Sequence, residues 1–578
     1  MEQDQPRRPP QGTRHACATA NIEHHSDSSA RRLESCAQPA REFRCRGTGV
    51  SSALAEIPAP SLKCAGPSSP SFLRSSLIFG SVSFATYLLS LVKTVIVSRY
   101  FGTSAEMDAF TIAVLVPNLL GALIAGSASA GLVPALAVAE REGAQLRADT
   151  YRTSFVLFMA GCTVASVALA IFGKQLVHLV APAFTGDRLA IAERLAPGAS
   201  LILLFNGVYA FSSAELLSRK KYVLVAAAPA ITTLLSLLGI MAFRSRGAAV
   251  LVWALAAGLA VQALVVFFPT WTACSGGRCT RWRNPSVTRV LSAQWVLLAV
   301  SSIGVTNSFI DQVISTLLPP GNVSALSYAS SLNCVSMQVI VMSMGWIALP
   351  NLSELAAAHD LTGLRRQMRT CVITTVMIAA PACLLIVGLG ETSIRVFFQH
   401  GRFDANSTRL VYLTWAGYSL GLVPAAIGMM AVRVANALHE NWLLFRVGMA
   451  LLAVNAILDY ALMRVAGVMG ITLSTSFVYC ISSVLLYRAL RAHVGELLDN
   501  ETLRHILKVA GAVAVAAIPA AIIRVLAPPG FMISAAQFGV FVVGLVLAYQ
   551  RAGVIACCIR GQDWRAWRWV HVCVKESC

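Results

Sequence analysis

Charge is scarce in this chain. Asp, Glu, Lys and Arg make up 13% of its 578 residues, about half the ~25% of an ordinary soluble domain. Acids are the scarcer sign, 27 against 46 bases, which leaves a formal net charge of +19. That excess could suggest a nucleic-acid partner, but the bases sit in short loops and in the two tails, so nucleic acid is set aside. Signatures of chemistry are missing as well. There is no HExxH, no GxxxxGK[ST] and no pair of carboxylates in a soluble segment, so neither an enzyme nor a cofactor is expected. Without a nucleotide site, any transport runs on an ion gradient, the membrane potential or a substrate gradient. One literal GxSxG, Gly417 to Gly421, falls inside a predicted transmembrane helix rather than a strand–turn–helix, and reads as small residues at a helix contact. The 15 cysteines lack the spacing of a zinc site or a secreted disulfide framework. Cys162, Cys371, Cys383 and Cys480 lie in apolar runs, and Cys274 and Cys279 read as free thiols in a loop.

What is abundant is hydrophobicity, at 56% of residues with a mean hydropathy of +0.67. Apolar stretches near the ~20 residues that cross a ~30 Å hydrocarbon core recur along the chain, as in 155–172, 248–268 and 509–523. The fold class predicted is all-α and polytopic, with about fourteen spans near 73–98, 109–136, 152–180, 195–217, 222–243, 248–269, 290–318, 325–350, 370–398, 409–435, 443–463, 468–489, 505–526 and 533–550. Loop cations alternate with this numbering. Arg141, Arg147 and Arg152, then Arg219, Lys220 and Lys221, then Arg278, Arg281, Arg283 and Arg289 occupy even-to-odd loops. So do Arg365, Arg366 and Arg369, Arg446, and Arg488, Arg491, Arg504 and Lys508 further on. The other loops are poorer in cations. The positive-inside rule then predicts a multi-pass membrane protein with both termini in the cytoplasm. Residues 1–72, rich in Pro, Ser and Arg, read as a disordered cytoplasmic extension without the apolar region of a secretory signal. Residues 73–270 read as one lobe, 271–490 as a second, 491–550 as two extra helices and 551–578 as a basic cytoplasmic tail.

The two halves echo one another. Val97 to Glu142 and Ile314 to Asp360 each run from an apolar helix through a Gly-containing turn into a helix of small and polar residues. Each then closes on Leu/Val–Pro before a charged amphipathic segment. Pro134 and Pro350 lie 216 residues apart, as two equivalent six-helix bundles require. Facing repeats place a cavity at their interface, the architecture of alternating access.

On these residues the sequence resembles the MurJ/MviN family of lipid II flippases, within the multidrug/oligosaccharidyl-lipid/polysaccharide exporter superfamily. The resembling segments are VSRYFGTSAEMDAF with VPNLL (Val97–Leu120), LVPAL (Leu132–Leu136), GNVSALSYASSL (Gly321–Leu332), ALPNLSE (Ala348–Glu354), FFQHGRFD (Phe397–Asp404) and AGYSLGLVP (Ala416–Pro424). The resemblance covers roughly residues 73–490. It implies two six-helix lobes about a central cavity and two further helices lining a groove for a lipid tail. It also implies the bacterial cytoplasmic (inner) membrane as location and a polyprenyl-diphosphate-linked glycan as substrate, with membrane lipids, a coupling ion or proton and envelope-assembly proteins as partners. The chain departs from the family at its cationic positions. Tyr87 and Lys93 stand where arginines are expected, and Thr94 where an acid is. Gly121 replaces a further arginine, Ser330 and Ser331 fill an expected Asp–Arg pair, and Cys334 fills an expected acid. NALHENWLLF lacks the basic Thr–Pro signature. A different lipid-linked oligosaccharide, or a non-transporting scaffold in envelope assembly, are the alternatives these departures open.

The candidate site residues follow from the cost of burying charge. A diphosphate in a membrane cavity needs compensating cations, and Lys93 lies well inside an apolar helix, where it either faces a cavity or snorkels to the interface. Tyr87, Asn118, Asn307, Tyr328 and Ser331 are candidates for hydrogen bonds to sugar hydroxyls. Asp108 either caps the second span or pairs with Lys93. Asp311, inside the seventh span, either pairs with Lys93 or binds a coupling proton or sodium ion. Asp459, one turn from Asn455, reads as polar glue between helices. Arg433 is expected at the cytoplasmic interface, and Glu215 in a helix-end ion pair with Arg219. No metal site is expected.

Overall fold

A computed structural model describes residues 70–274, 276, 304–496, 499–526 and 531–551. The readings of residues 1–69, of Cys279 and the four arginines between 278 and 289, and of the tail beyond 551 therefore lie outside the described residues. Among those residues there is no strand. The helices are α1 (Pro70–Phe101), α2 (Ala105–Glu142), α3 (Ala144–Val180), α4 (Gly186–Ser218), α5 (Tyr222–Phe243), α6 (Ala249–Ala273), α7 (helical over 304–315) and α8 (Asn322–Ser336). A π-helical segment, Met337–Met342, leads into α9 (Ser343–Ala357). Then follow α10 (Leu361–Phe398), α11 (Ala405–Ser419), α12 (Leu422–Ala437), α13 (Asn441–Val494), α14 (Asn500–Leu526) and α15 (Phe531–Arg551).

Eleven described helices are long and apolar enough to cross a membrane, and twelve if α11 and α12, bent by 41°, make one span. At 54 residues, α13 would run ~80 Å if straight, far beyond one bilayer. Gly467, at φ 59° and ψ −138°, breaks it into two crossings. With α13 counted twice, thirteen of the expected fourteen spans are accounted for, and the remaining one, near 290–318, lies partly outside the described residues.

Local chemistry sets the turns. Ser104 caps α2 by accepting the Met107 N–H, and Asp360, Asp404 and Asp499 cap α10, α11 and α14 by accepting N–H groups of Gly363, Ser407 and Thr502. Helices α1–α6 pack on one another, with α2, α3 and α6 gathered around α4 and α1 against α5. Helices α8–α13 form a second bundle, and α14 and α15 lie together against α10, where the Tyr549 hydroxyl donates to the Met377 carbonyl at 2.9 Å. Small residues allow close approach. Gly417, Gly421 and Gly428 face the Thr472, Ser476 and Ser483 hydroxyls of α13, and a Cβ at any of the three would overlap them. The GxSxG segment is thus a helix contact, as expected, but it sits at the α11–α12 bend rather than within a continuous helix.

Candidate functional site between the lobes

Hydrogen bonds between the two bundles concentrate at one end of the molecule. There the α1–α2 turn meets the α7–α8 and α10–α11 turns. The Arg402 N–H donates to the Arg99 carbonyl at 2.9 Å, and the Tyr328 hydroxyl donates to the Gly102 carbonyl at 2.9 Å. The Thr103 and Ser407 hydroxyls lie 2.7 Å apart. Gly102 and Gly401 sit at φ 57° and 65°, and a Cβ on either would overlap the opposite turn's carbonyl oxygen. Glycine is required at both positions on conformation and on space. Val97, Phe101 and Met107 pack with Leu326, Tyr328, Phe398 and Phe403 as an apolar seal beneath these turns.

Asp108 is the centre of this clasp. It is fully buried, and its carboxylate accepts the Gly321 N–H at 2.7 Å and the Ser324 N–H at 2.8 Å. These are free donors at the N-terminus of α8, in the opposite lobe. Arg188 of α4 completes the site at 3.1 Å and stacks over the Phe184 ring. The reading of Asp108 as cap of its own helix or partner of Lys93 is corrected. Ser104 caps α2, and Asp108, a full turn inside that helix, caps α8 across the interface, where the docked turn presents two N–H groups to it. Arg188 escaped the sequence reading, although an arginine on the cation-poor side was a usable signal.

Below the clasp lies a cavity of about 160 Å³, lined from one lobe by Lys93, Thr94, Phe110 and Ser236 and from the other by Ser327, Tyr328 and Ser331, among others. Three predicted site residues, Lys93, Tyr328 and Ser331, therefore meet at one place. No carboxylate among the described residues lies within ion-pair distance of Lys93, so the pairings with Asp108 and Asp311 do not form. The Tyr328 hydroxyl is committed to Gly102, which leaves its ring as cavity wall. Tyr87 lies further along α1, where Gln338 donates to its hydroxyl at 3.3 Å across the lobes. Asn118 is exposed on α2 and does not line this cavity. Asn307, on α7, is half-buried and likewise apart from it.

Asp311 and Asp459 form a separate centre inside the second lobe. Asp311 is 5% exposed and Asp459 fully buried. The Asn455 amide donates to Asp311 at 2.9 Å and to Asp459 at 2.8 Å, Ser474 donates to Asp459, and Thr475 donates to Asp311 at 3.4 Å. Among the described residues no basic side chain pairs with either acid. Two carboxylates held together without a base require a proton or a cation between them. Thr475 and Ser474 were missed from sequence, since hydroxyls in an apolar helix carry no distinctive pattern.

Glu215 does pair with Arg219 at 2.6 Å, and Arg147 joins it at 3.0 Å with Ser218 and Glu140. This fully buried acid ties the ends of α3 and α4 together beside the buried, free Cys274 thiol. Arg433, one turn from the end of α12, is 9% exposed and packs against Gly345 of α9. Its apolar stem and the absent glycine side chain let the guanidinium lie inside the bundle.

Comparison with known proteins places this geometry. The sequence profile of the family described as lipid II flippase MurJ matches residues 97–541. The lipid II flippase MurJ of Burkholderia cenocepacia is 24% identical over 437 residues, 72% of this chain and 83% of that protein. The probable lipid II flippase MurJ of Synechocystis sp. is 24% identical over 431 residues, covering 71% and 80%. Among solved structures, a lipid II flippase MurJ in an inward closed conformation superposes with a TM-score of 0.73 at 18% identity, covering 82% of this chain and 99% of that one. An inward-facing multidrug resistance MATE family transporter of the MOP superfamily gives 0.61 at 12% identity, covering 73% and 98%. The structural likeness establishes the fold, and the profile match, which spans well over half of the sequence, establishes the family: this chain belongs to the lipid II flippase MurJ family.

Proposed function

We propose that the chain translocates lipid II, or a closely related polyprenyl-diphosphate-linked glycan, across the bacterial cytoplasmic membrane by alternating access, with both termini in the cytoplasm. The observation that carries this reading is Lys93, a cation without an acidic partner among the described residues, in a cavity walled by both lobes. A phosphate group entering that cavity supplies the counter-charge, and Lys93 supplies the compensation a buried anion demands. The loop charges assign the clasped end to the outer face. Precursor would then enter from the cytoplasmic end, and the clasp must open for release. A coupling ion or proton is assigned to Asp311 and Asp459. The oxygens of the two carboxylates and of the Ser474 and Thr475 hydroxyls are the donor set a hard cation prefers.

The test is complementation of a strain depleted of its lipid II flippase, with membrane insertion checked for every variant. Wild type is expected to rescue, Lys93→Arg to retain rescue, and Lys93→Ala to lose roughly tenfold or more of the flipping rate. Failure of well-inserted wild type to rescue would remove lipid II as the cargo.

A further inference from the structure

The polar wall of the cavity continues past Lys93. On α1, Tyr87 and Thr94 are seven residues apart, two helical turns, and share a face. On the opposite lobe Ser327, Ser331, Cys334 and Gln338 follow at spacings of four, three and four along α8 and into the π-helical segment. Thr94, Ser327 and Ser331 line the cavity. Two turns beyond Thr94 and Ser331, about 10 Å at the helical rise, Gln338 Nε2 meets the Tyr87 hydroxyl at 3.3 Å. Tyr87 is 38% exposed and Gln338 half-buried, so the pair that joins the two lobes stays accessible. Gln338 occupies the second position of a π-helical turn, a distortion that recurs where a helix presents a functional side chain.

The chemistry of the pair is specific. A carboxamide offers two N–H donors and a carbonyl acceptor, and a phenol both donates and accepts. Neither is charged, although the family resemblance implies an arginine at Tyr87. The long, exposed bond between them is the kind a ligand replaces without loss. We propose that Tyr87 and Gln338 form a neutral subsite for the saccharide of the cargo, reading its hydroxyl and amide groups about 10 Å from the phosphate contact at Lys93. This rests on the proposed transport of a lipid-linked glycan. It assigns recognition of the sugar to one residue from each lobe, so that a bound saccharide bridges the two bodies that must move.

Binding of two probes to the purified full-length protein tests it: lipid II, and undecaprenyl diphosphate, which carries the same anchor without sugar. Wild type is expected to bind lipid II more tightly. Tyr87→Phe and Gln338→Ala should each weaken lipid II by about 2- to 12-fold, the worth of one hydrogen bond, and leave undecaprenyl diphosphate unchanged. Lys93→Ala should weaken both probes. The subsite is overturned if either variant, with a wild-type unfolding midpoint, weakens both probes equally or neither. Wild type that binds neither probe overturns the proposed function, and the subsite with it.

Discussion

Asp108 and the Asp311–Asp459 pair are both buried in a membrane protein, yet their surroundings differ in kind. Asp108 has a complete set of partners, an arginine and two backbone N–H groups, so its charge is permanently satisfied and its work is to hold two lobes together. Asp311 and Asp459 have only neutral donors among the described residues, so their charge is balanced only when something mobile joins them. Glu215, between Arg147 and Arg219, belongs with Asp108. Burial alone therefore does not mark a functional acid; an incomplete partner set does.

The strongest way to break this comparison is at Asp108. Asp108→Ala strands Arg188 in a buried site and leaves two N–H groups of α8 unpaired, and a cost of about 3–5 kcal/mol is expected. It is measured as a fall in the unfolding midpoint of the purified protein. A variant as stable as wild type would show that the clasp contributes nothing to holding the lobes. The next effect is expected at the acid pair. If sodium is the mobile partner, replacing choline by sodium at about a hundred times its Kd should stabilise wild type by about 2.7 kcal/mol. Asp311→Asn and Asp459→Asn should abolish that shift. A wild-type midpoint indifferent to sodium would exclude that ion and leave the proton.

The smallest expected effect concerns pH at the clasp. The Ser407 hydroxyl and N–H hold the Asp404 carboxyl below the ordinary carboxylate range. A group whose folded pKa is depressed stabilises above its unfolded value, about 3.9, and that stabilisation is lost as pH falls through the folded value. Spin-label distances across the Thr103–Ser407 contact should thus be flat between pH 8 and 5 and widen only below about pH 4. Widening near neutrality would point to a different titrating group.

Much of the molecule is legible in the sequence because its signals are local. Gly102 marks a turn between two apolar runs, and Lys93 stands out as a cation within one of them. The site residues that escape such a reading, Arg188, Gln338, Ser474 and Thr475, are ordinary polar residues whose meaning lies in what they face. Asp108 is the instructive case. Its place at the head of an apolar span singles it out, but its partners Gly321 and Ser324 lie more than 200 residues away.

By itself, then, the sequence determined the spans and the twofold plan, because hydrophobic length, glycine and proline act within a few turns of helix. Only the tertiary structure decided which buried charges are satisfied. It closed Asp108 onto the other lobe, left Lys93 without an acid in the cavity, and brought Tyr87 to Gln338. Those outcomes depend on how the two bundles dock, and no pattern confined to one helix encodes the partner that docking supplies.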